Sequence, residues 1–329
     1  MQLKGKKVLV TGAAGFIGSH LTEELVRLGC KVRAFIHYNS QNNWENLELL
    51  PQKTLKQLEV FKADITDPFS VDKAVQGQDI VFHLAALIAI PYSYIAPQAY
   101  VQTNVMGTLN VMEACLRHGI KKVVHTSTSE TFGTAMYAPI DEKHPLQGQS
   151  PYSASKIGAD KIAESFYCSF KLPVVTLRPF NTFGPRQSAR AVIPTIISQA
   201  LVNKEVTLGS LDPVRDLTYV KDTAAGFIAA ATSDKTVGEL INIGNSKGIT
   251  VGELADKIIS LIDKNIKIIS DKSRVRPEDS EVFKLICNNE KAKKIMGWAP
   301  KYSLEDGLKE TIQFIKENLN LFKTDHYVI

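Results

Sequence analysis

The sequence is short of most features that would take it out of the ordinary globular class. It has only four cysteines, Cys30, Cys115, Cys168 and Cys287, far apart and with no CxxC pair. That spacing speaks against a zinc site or a disulfide framework and leaves them to be read as reduced core thiols. No apolar run reaches the roughly 18 residues that a bilayer span needs, and the start MQLKGKKVLVTG enters a strand without the apolar stretch of a secretory signal. These absences predict a soluble, cytoplasmic protein with no membrane partner. No internal repeat or low-complexity segment interrupts the 329 residues. A concentrated basic patch is missing too. The net charge is +5, but lysines and arginines are scattered and alternate with acids on helix-like faces, which argues against nucleic acid as a partner. A few arginines in apolar or Pro-flanked settings stand apart and suit a small phosphorylated ligand.

What is present is an alternation of short apolar runs with helical patterns. KKVLVTG is followed by a helix over 18–28, KVRAFIH by a polar loop, LEVFKAD by a helix over 68–76, DIVFHLAA by a long helix near 99–118, and then comes KKVVHTS. A further helix over about 152–170 and the strand PVVTLRPFN continue the series. Strands alternating with helices of this length predict βαβ units, hence an α/β, doubly wound parallel sheet with right-handed crossovers. After Gly184-Pro185 the elements shorten and Pro194, Pro213, Pro277 and Pro300 punctuate them. The expected division is a dinucleotide-binding domain over 1–180, with a return from about 218–245, and a smaller C-terminal lobe over 181–329.

In VLVTGAAGFIGSHL, Gly12, Gly15 and Gly18 lie between the first strand and the first helix. Glycines there permit the tight turn and let backbone amides approach a diphosphate at the helix N-terminus. One part of the usual pattern is absent. The acid that reads a ribose hydroxyl should stand near position 37, and the residue is His37, followed by YNSQNN with no lysine or arginine to pair a 2′-phosphate. The preference is for NAD, with NADP not excluded. Asp64, at the end of the third strand, can face the adenine, while Asp67 beside it suits a helix cap.

The stretch HTSTSETFG, residues 125–133, ends an apolar strand in hydroxyls and one carboxylate, Glu130. Strand interiors favour Val and Ile, so the chain has left the core here, at the carboxyl end where ligands of open parallel sheets lie. Downstream, SPYSASK places Tyr152 and Lys156 four apart at the start of a helix. That spacing puts both on one face, so the ammonium can lower the phenol's pKa and orient the nicotinamide ribose. A tyrosinate can then take a proton from a sugar hydroxyl as hydride leaves for the cofactor.

TGAAGFIGSHL, FHLAA, STSE, YSASK and LRPFNTFGP together resemble the extended short-chain dehydrogenase/reductase superfamily, and within it the nucleotide-sugar 4,6-dehydratases and epimerases. The resemblance implies a Rossmann-like sheet with a substrate lobe, and extends the cofactor contacts to Phe16, Ile17, Ile65, Leu84, Ala85 and Ala86. It implies the chemical set Thr128, Ser129, Glu130, Tyr152 and Lys156. Four-epimerases of the family typically lack an acid after this strand's hydroxyls, whereas dehydratases present Thr-Asp-Glu or Thr-Ser-Glu, the version found here and in GDP-mannose dehydratases. Thr128 would then bind the carbon 4 hydroxyl, Tyr152 deprotonate it and Glu130 abstract at carbon 5, with Ser129 or Glu130 handling the carbon 6 oxygen.

For the substrate, Ser127 and Asn181 lie at adjacent strand ends and can reach the sugar or its phosphates. RQSARAVIP resembles the segment over the nucleotide base, with Val192 and Ile193 sandwiching it. Arg215 and Arg276 match diphosphate-binding arginines, Asp216 would hold Arg215 in place, and Glu278 would accept from the nucleotide ribose. The resemblance is nearest to bacterial enzymes on UDP-N-acetylglucosamine in legionaminic- and pseudaminic-type sugar pathways, although residue types alone do not separate UDP from GDP. Two rival readings keep the cofactor: a 4-epimerase, or an oxidoreductase acting on a 5,6-unsaturated UDP-sugar. A third is a non-catalytic dinucleotide sensor. Family habit and apolar positions on several faces of the helices near 99–118 and 152–170 imply a homodimer.

Overall fold

Strands with apolar residues on both faces need cover on both faces, and that need organises this chain. The computed structural model describes residues 2–271 and 278–322, with only the backbone of Glu278. Its strands begin with β1 (Lys7–Thr11), β2 (Lys31–His37), β3 (Glu59–Ala63), β4 (Ile80–His83), β5 (Lys122–Thr126) and β6 (Val174–Pro179). They continue with β7 (Asn181–Phe183), β8 (Glu205–Leu208), β9 (Val214–Tyr219) and β10 (Leu240–Ile243). Seven of these form one sheet in the order β10-β6-β5-β4-β1-β2-β3, with every pairing parallel.

The main helices of the first 232 residues are α1 (Phe16–Arg27), α2 (Pro68–Val75), α3 (Gly107–Arg117), α4 (Pro151–Phe170), α5 (Val192–Val202) and α6 (Val220–Thr232). Side chains alternate across a strand, and β1 shows the result. Val8 and Val10 join Leu21 and Leu25 of α1 and Phe227 of α6 in one core. Leu9, between them, joins Val71 of α2, Met112 of α3 and Phe166 of α4 in the core on the other face. The fold is therefore a Rossmann-like α/β sheet with helices on both sides. Because β1 is flanked by β2 and β4, the strand order reverses at β1 and β4. The crevice beyond their carboxyl ends is the ligand position of such sheets.

The remaining strands, β11 (Gly248–Thr250), β12 (Lys267–Ser270) and β13 (Lys284–Leu285), pair with earlier ones. β11, β9 and β13 form a small sheet with β7 beside β9, and β12 pairs with β8. Helices α5, α7 (Val251–Ile262) and α8 (Leu304–Glu317) pack on them through Ile196, Ile258 and Leu308.

Two expectations are corrected. Cys168 is exposed rather than a core thiol, unlike Cys30, Cys115 and Cys287, because it falls on the solvent side of α4. The long helix near 99–118 is not uniform: Val101–Met106 widens into π-helical turns before α3. The wide turns bring Asn104 inward, where it bonds both backbone groups of Leu87 at 2.9 and 3.0 Å and Ser155 Oγ at 2.9 Å. Among the described residues no helix is long and apolar enough to cross a membrane.

Candidate active site

The turn after β1 is made of backbone. Gly12 has φ +69°, and a Cβ on it would lie 2.9 Å from the Ala85 amide nitrogen. A Cβ on Gly18 would lie 2.1 Å from the Gly12 carbonyl oxygen. Only glycine fits at either place, so the loops after β1 and β4 touch and α1 starts directly over them. Its N-cap, Gly15, offers no side-chain cap, so the first-turn amides face outward at the positive end of the helix dipole. Thr11 Oγ1 accepts from Leu84 and Ala85 amides at 3.1 Å each, which pins Leu84, Ala85 and half-buried Ala86 beside the glycine turn. Phe16 and Ile17, in the first turn of α1, are half-buried, with side chains packed against the core shared with α5, α7 and α8.

At the ends of β2 and β3, exposed His37 Nδ1 stands 4.0 Å from Asp64 Oδ2. Asp64 Oδ1 accepts from Thr66, leaving Oδ2 open. Asp67 caps α2 through the Phe69 and Ser70 amides, and Ile65 is buried against α3. Lys62 on β3 donates to Asn42, so a cation reaches the 37–43 loop from a neighbouring strand. Sequence order hid it, since pairing rather than spacing puts it there.

At the end of β5, Thr128 Oγ1 accepts from the Glu130 amide at 3.3 Å and N-caps the turn Ser129–Phe132. Capping is thus done by the threonine, and the half-buried Glu130 carboxylate has no hydrogen-bond partner recorded among the described residues. Ser129 is only 2 % exposed. α4 starts at a capping box between Ser150 and Ser153 with Pro151 in its first turn, a sequence that fixes the start of the helix. Tyr152 therefore lies in the first turn, bonded to Thr128 and close enough to Glu130 to feel its charge. Burial pushes the Tyr152 phenol up, the Thr128 bond pulls it down and Glu130 pushes it up. The expected direct lowering by Lys156 is not what the geometry gives. Lys156 Nζ donates to the Thr126 carbonyl at 2.6 Å, and desolvation governs the phenol. Burial lowers Lys156 itself to about 8, with Asp160 opposing and Arg178 adding to the fall.

Beneath this face is a buried polar layer that sequence reading missed. Asp160 accepts from His125 Nε2 at 3.0 Å, Ser127 Oγ at 2.5 Å and Arg178 at 2.8 Å, and Arg178 Nε donates to Ser127 Oγ at 3.0 Å. Burial alone would raise the Asp160 carboxyl, but the His125 bond and the charges of Arg178 and Lys156 hold it well below the usual range. Next to it, His83 is set as a neutral ring: Nδ1 contacts the Thr11 hydroxyl at 2.9 Å and Nε2 the Thr108 hydroxyl at 3.0 Å. Thr11 already accepts from amides and Thr108 donates to the Asn104 carbonyl at 2.6 Å, so Nδ1 accepts and Nε2 donates. Signals existed. Arg178 interrupts an apolar strand, and Asp160 continues the 152–156 spacing one turn on.

Several substrate expectations change. Ser127 is held by Asp160 and Arg178 inside that layer, since its side chain points to the buried face of β5. Ile193 is 2 % exposed and part of the core formed with Ile196, Ile258 and Leu308, with Val192 packed against it, because α5 turns that side to α7 and α8. Asp216 does not hold Arg215; it accepts from the amides of Asn245, Ser246 and Cys287 at 2.7, 2.7 and 3.0 Å. Burial raises it to about 6. Arg215 pairs with Glu281 at 3.2 Å. Asn181 has a buried Oδ1 without a partner among the described residues, as a ligand-facing amide would. Arg276 and the Glu278 side chain lie outside the described residues. Cavity size does not mark this cleft: one cavity of about 500 Å³ lies at the opposite ends of β1 and β2, lined by Lys7, Lys31 and Arg33.

Compared with known proteins, residues 9–311 match the family described as GDP-mannose 4,6 dehydratase. The dTDP-D-glucose 4,6-dehydratase of Mus musculus is 31% identical over 97% of this chain and 91% of its own. Among solved structures, the UDP-N-acetylglucosamine 4-epimerase of Methanobrevibacter ruminantium M1, in complex with UDP-N-acetylmuramic acid, is 32% identical with a TM-score of 0.86, over 96% of this chain and 99% of that one. DesIV of Streptomyces venezuelae, a dTDP-glucose 4,6-dehydratase with NAD and TYD bound, is 26% identical with a TM-score of 0.87, over 96% and 99%.

Proposed function

The chain belongs to the GDP-mannose 4,6-dehydratase family of nucleotide-sugar dehydratases and epimerases, and from that premise we propose that it is an NAD-dependent 4,6-dehydratase acting on UDP-N-acetylglucosamine. The observation that carries the choice of dehydration is the Glu130 carboxylate, free of the turn it begins and beside Tyr152. Epimerisation at carbon 4 needs no proton removed from carbon 5, so the reaction sets no task for an acid there. Support for the cofactor comes from the glycine cradle, which leaves no room for a Cβ and presents uncapped helix amides, and from NAD in the DesIV structure. When bound, NAD supplies the acceptor for the carbon 4 hydride and its return at carbon 6.

The chain's own groups move the protons. Tyr152 takes the proton of the carbon 4 hydroxyl, with Thr128 sharing that oxygen and Lys156 supplying positive charge one turn behind. The carbon 4 ketone acidifies the carbon 5 proton, so a carboxylate suffices as base, and Glu130 removes it. Buried Ser129 leaves Glu130 to hand this proton to the carbon 6 hydroxyl, which departs as water. Carbon 5 then needs a proton, and the phenol holds the one from oxygen 4; its passage through Glu130 to carbon 5 closes the balance at one water lost. Incubation with UDP-N-acetylglucosamine in deuterated water tests this. The expected product is the 4-keto-6-deoxy sugar with deuterium at carbon 5 by NMR; unchanged sugar, or a carbon 4 epimer, would refute it. The exposed apolar side chains Val101, Met106, Leu116 and Phe170 suit a homodimer, and a monomer mass in sedimentation would contradict that.

A further inference from the structure

We infer that Asp160 is the positioning residue that keeps Lys156 a cation, placed against Thr126. The argument starts from helix spacing. Tyr152, Lys156 and Asp160 follow one another at i, i+4 and i+8 on α4, one face of one helix. Lys156 is 5 % exposed and donates to the carbonyl of Thr126. The residues on either side of Thr126, His125 and Ser127, both bond Asp160. Asp160 therefore clamps α4 to β5 on both sides of the carbonyl that receives the lysine.

Charge gives the clamp its second role. The charged and titratable groups that act on Lys156 or feel its charge are Asp160 on its own helix, His125 on β5, His83 on β4 and Arg178 on β6, with Tyr152 one turn before it and Glu130 beside Tyr152. Both histidines are neutral, driven below their usual value chiefly by burial. Arg178 is 1 % exposed, lies 4.5 Å from the Phe132 ring centroid, and does not give up its proton in proteins. The layer therefore holds two buried cations, Lys156 and Arg178, and Asp160 as the carboxylate paired with Arg178. Remove its charge and the arginine keeps its proton, so the lysine is the group that must give way. The direction of the influences on Lys156 agrees: Asp160 favours its charged form and Arg178 opposes it.

The inference rests on the proposed function only for the roles of Tyr152 and Lys156, and its test needs no sugar. Protein labelled with [13C]lysine and loaded with NAD is titrated by NMR, with the Lys156 signal assigned by its loss in Lys156→Arg. Asp160→Asn, which keeps the shape and removes the charge, should lower the Lys156 midpoint by about one pH unit or more, a tenfold change in its protonation equilibrium. Arg178→Met should move it up, and the charge-balanced double variant should return it toward the wild-type value. Should Asp160→Asn not fold, the direction in Arg178→Met and in the double variant decides. A midpoint that stays put in the variants that fold, or moves the same way in both single variants, would overturn the inference and make Asp160 a purely structural residue. Failure of every nucleotide sugar to turn over would leave this result standing and count against the proposed reaction alone.

Discussion

The turns after β1 and after β5 end parallel strands on the same edge of one sheet, yet they are built from opposite materials. The first is backbone, with Gly12 and Gly18 so close to other main-chain atoms that no side chain fits. The second is side chains: Thr128 caps, Glu130 projects, and Tyr152 and Lys156 come in from α4 above a layer held by Asp160. The difference separates two kinds of fragility. A turn made of main chain fails by losing its shape, whereas a face made of side chains can lose its chemistry and keep its shape.

That contrast predicts a ranking. Tyr152→Phe removes the proton acceptor while leaving the buried ring in place, so carbon 4 oxidation, followed by the absorbance of reduced nicotinamide, should fall by about 10²–10⁴-fold with melting nearly unchanged. A parallel collapse in stability would erase the distinction. Gly18→Ala should behave the other way, losing about 1–3 kcal/mol of stability from the forced main-chain shift together with more than tenfold in NAD affinity, read by denaturant melts and calorimetry. The pH dependence sharpens the second region. Lysine is charged below its pKa, and Lys156 is lowered to about 8, so single-turnover oxidation at carbon 4 should decline as pH rises past that value. The smallest effect belongs to Ser150→Ala, which removes one partner of the capping box and should cost about 1 kcal/mol with a modest rise in KM as the first turn of α4 frays.

Legibility in the sequence followed the same divide. Glycines at a strand-to-helix turn have a steric meaning that spacing alone conveys, so the crevice beyond β1 and β4 was readable. So were Thr128, Glu130, Tyr152 and Lys156, because hydroxyls at a strand end and a helical i, i+4 pair are local patterns. What stayed hidden depends on strands brought together by pairing. Lys62 reaches the loop after β2 only through the β2–β3 register, and Asp160 meets His125, Ser127 and Arg178 only once α4 lies across β5 and β6. Ser127 and Ile193 were misplaced for the same reason. A one-residue step reverses the face of a strand and turns a helix by about 100°, and both side chains point into packed interior.

The most direct test of the central claim is Glu130→Gln, NAD-loaded and mixed with UDP-N-acetylglucosamine, with reduced nicotinamide followed by absorbance and the sugar by NMR. The account predicts that reduced nicotinamide builds up on a 4-keto hexose that retains its carbon 6 hydroxyl, at a rate within a few-fold of wild type. Release of the 4-keto-6-deoxy product at the wild-type rate would contradict it.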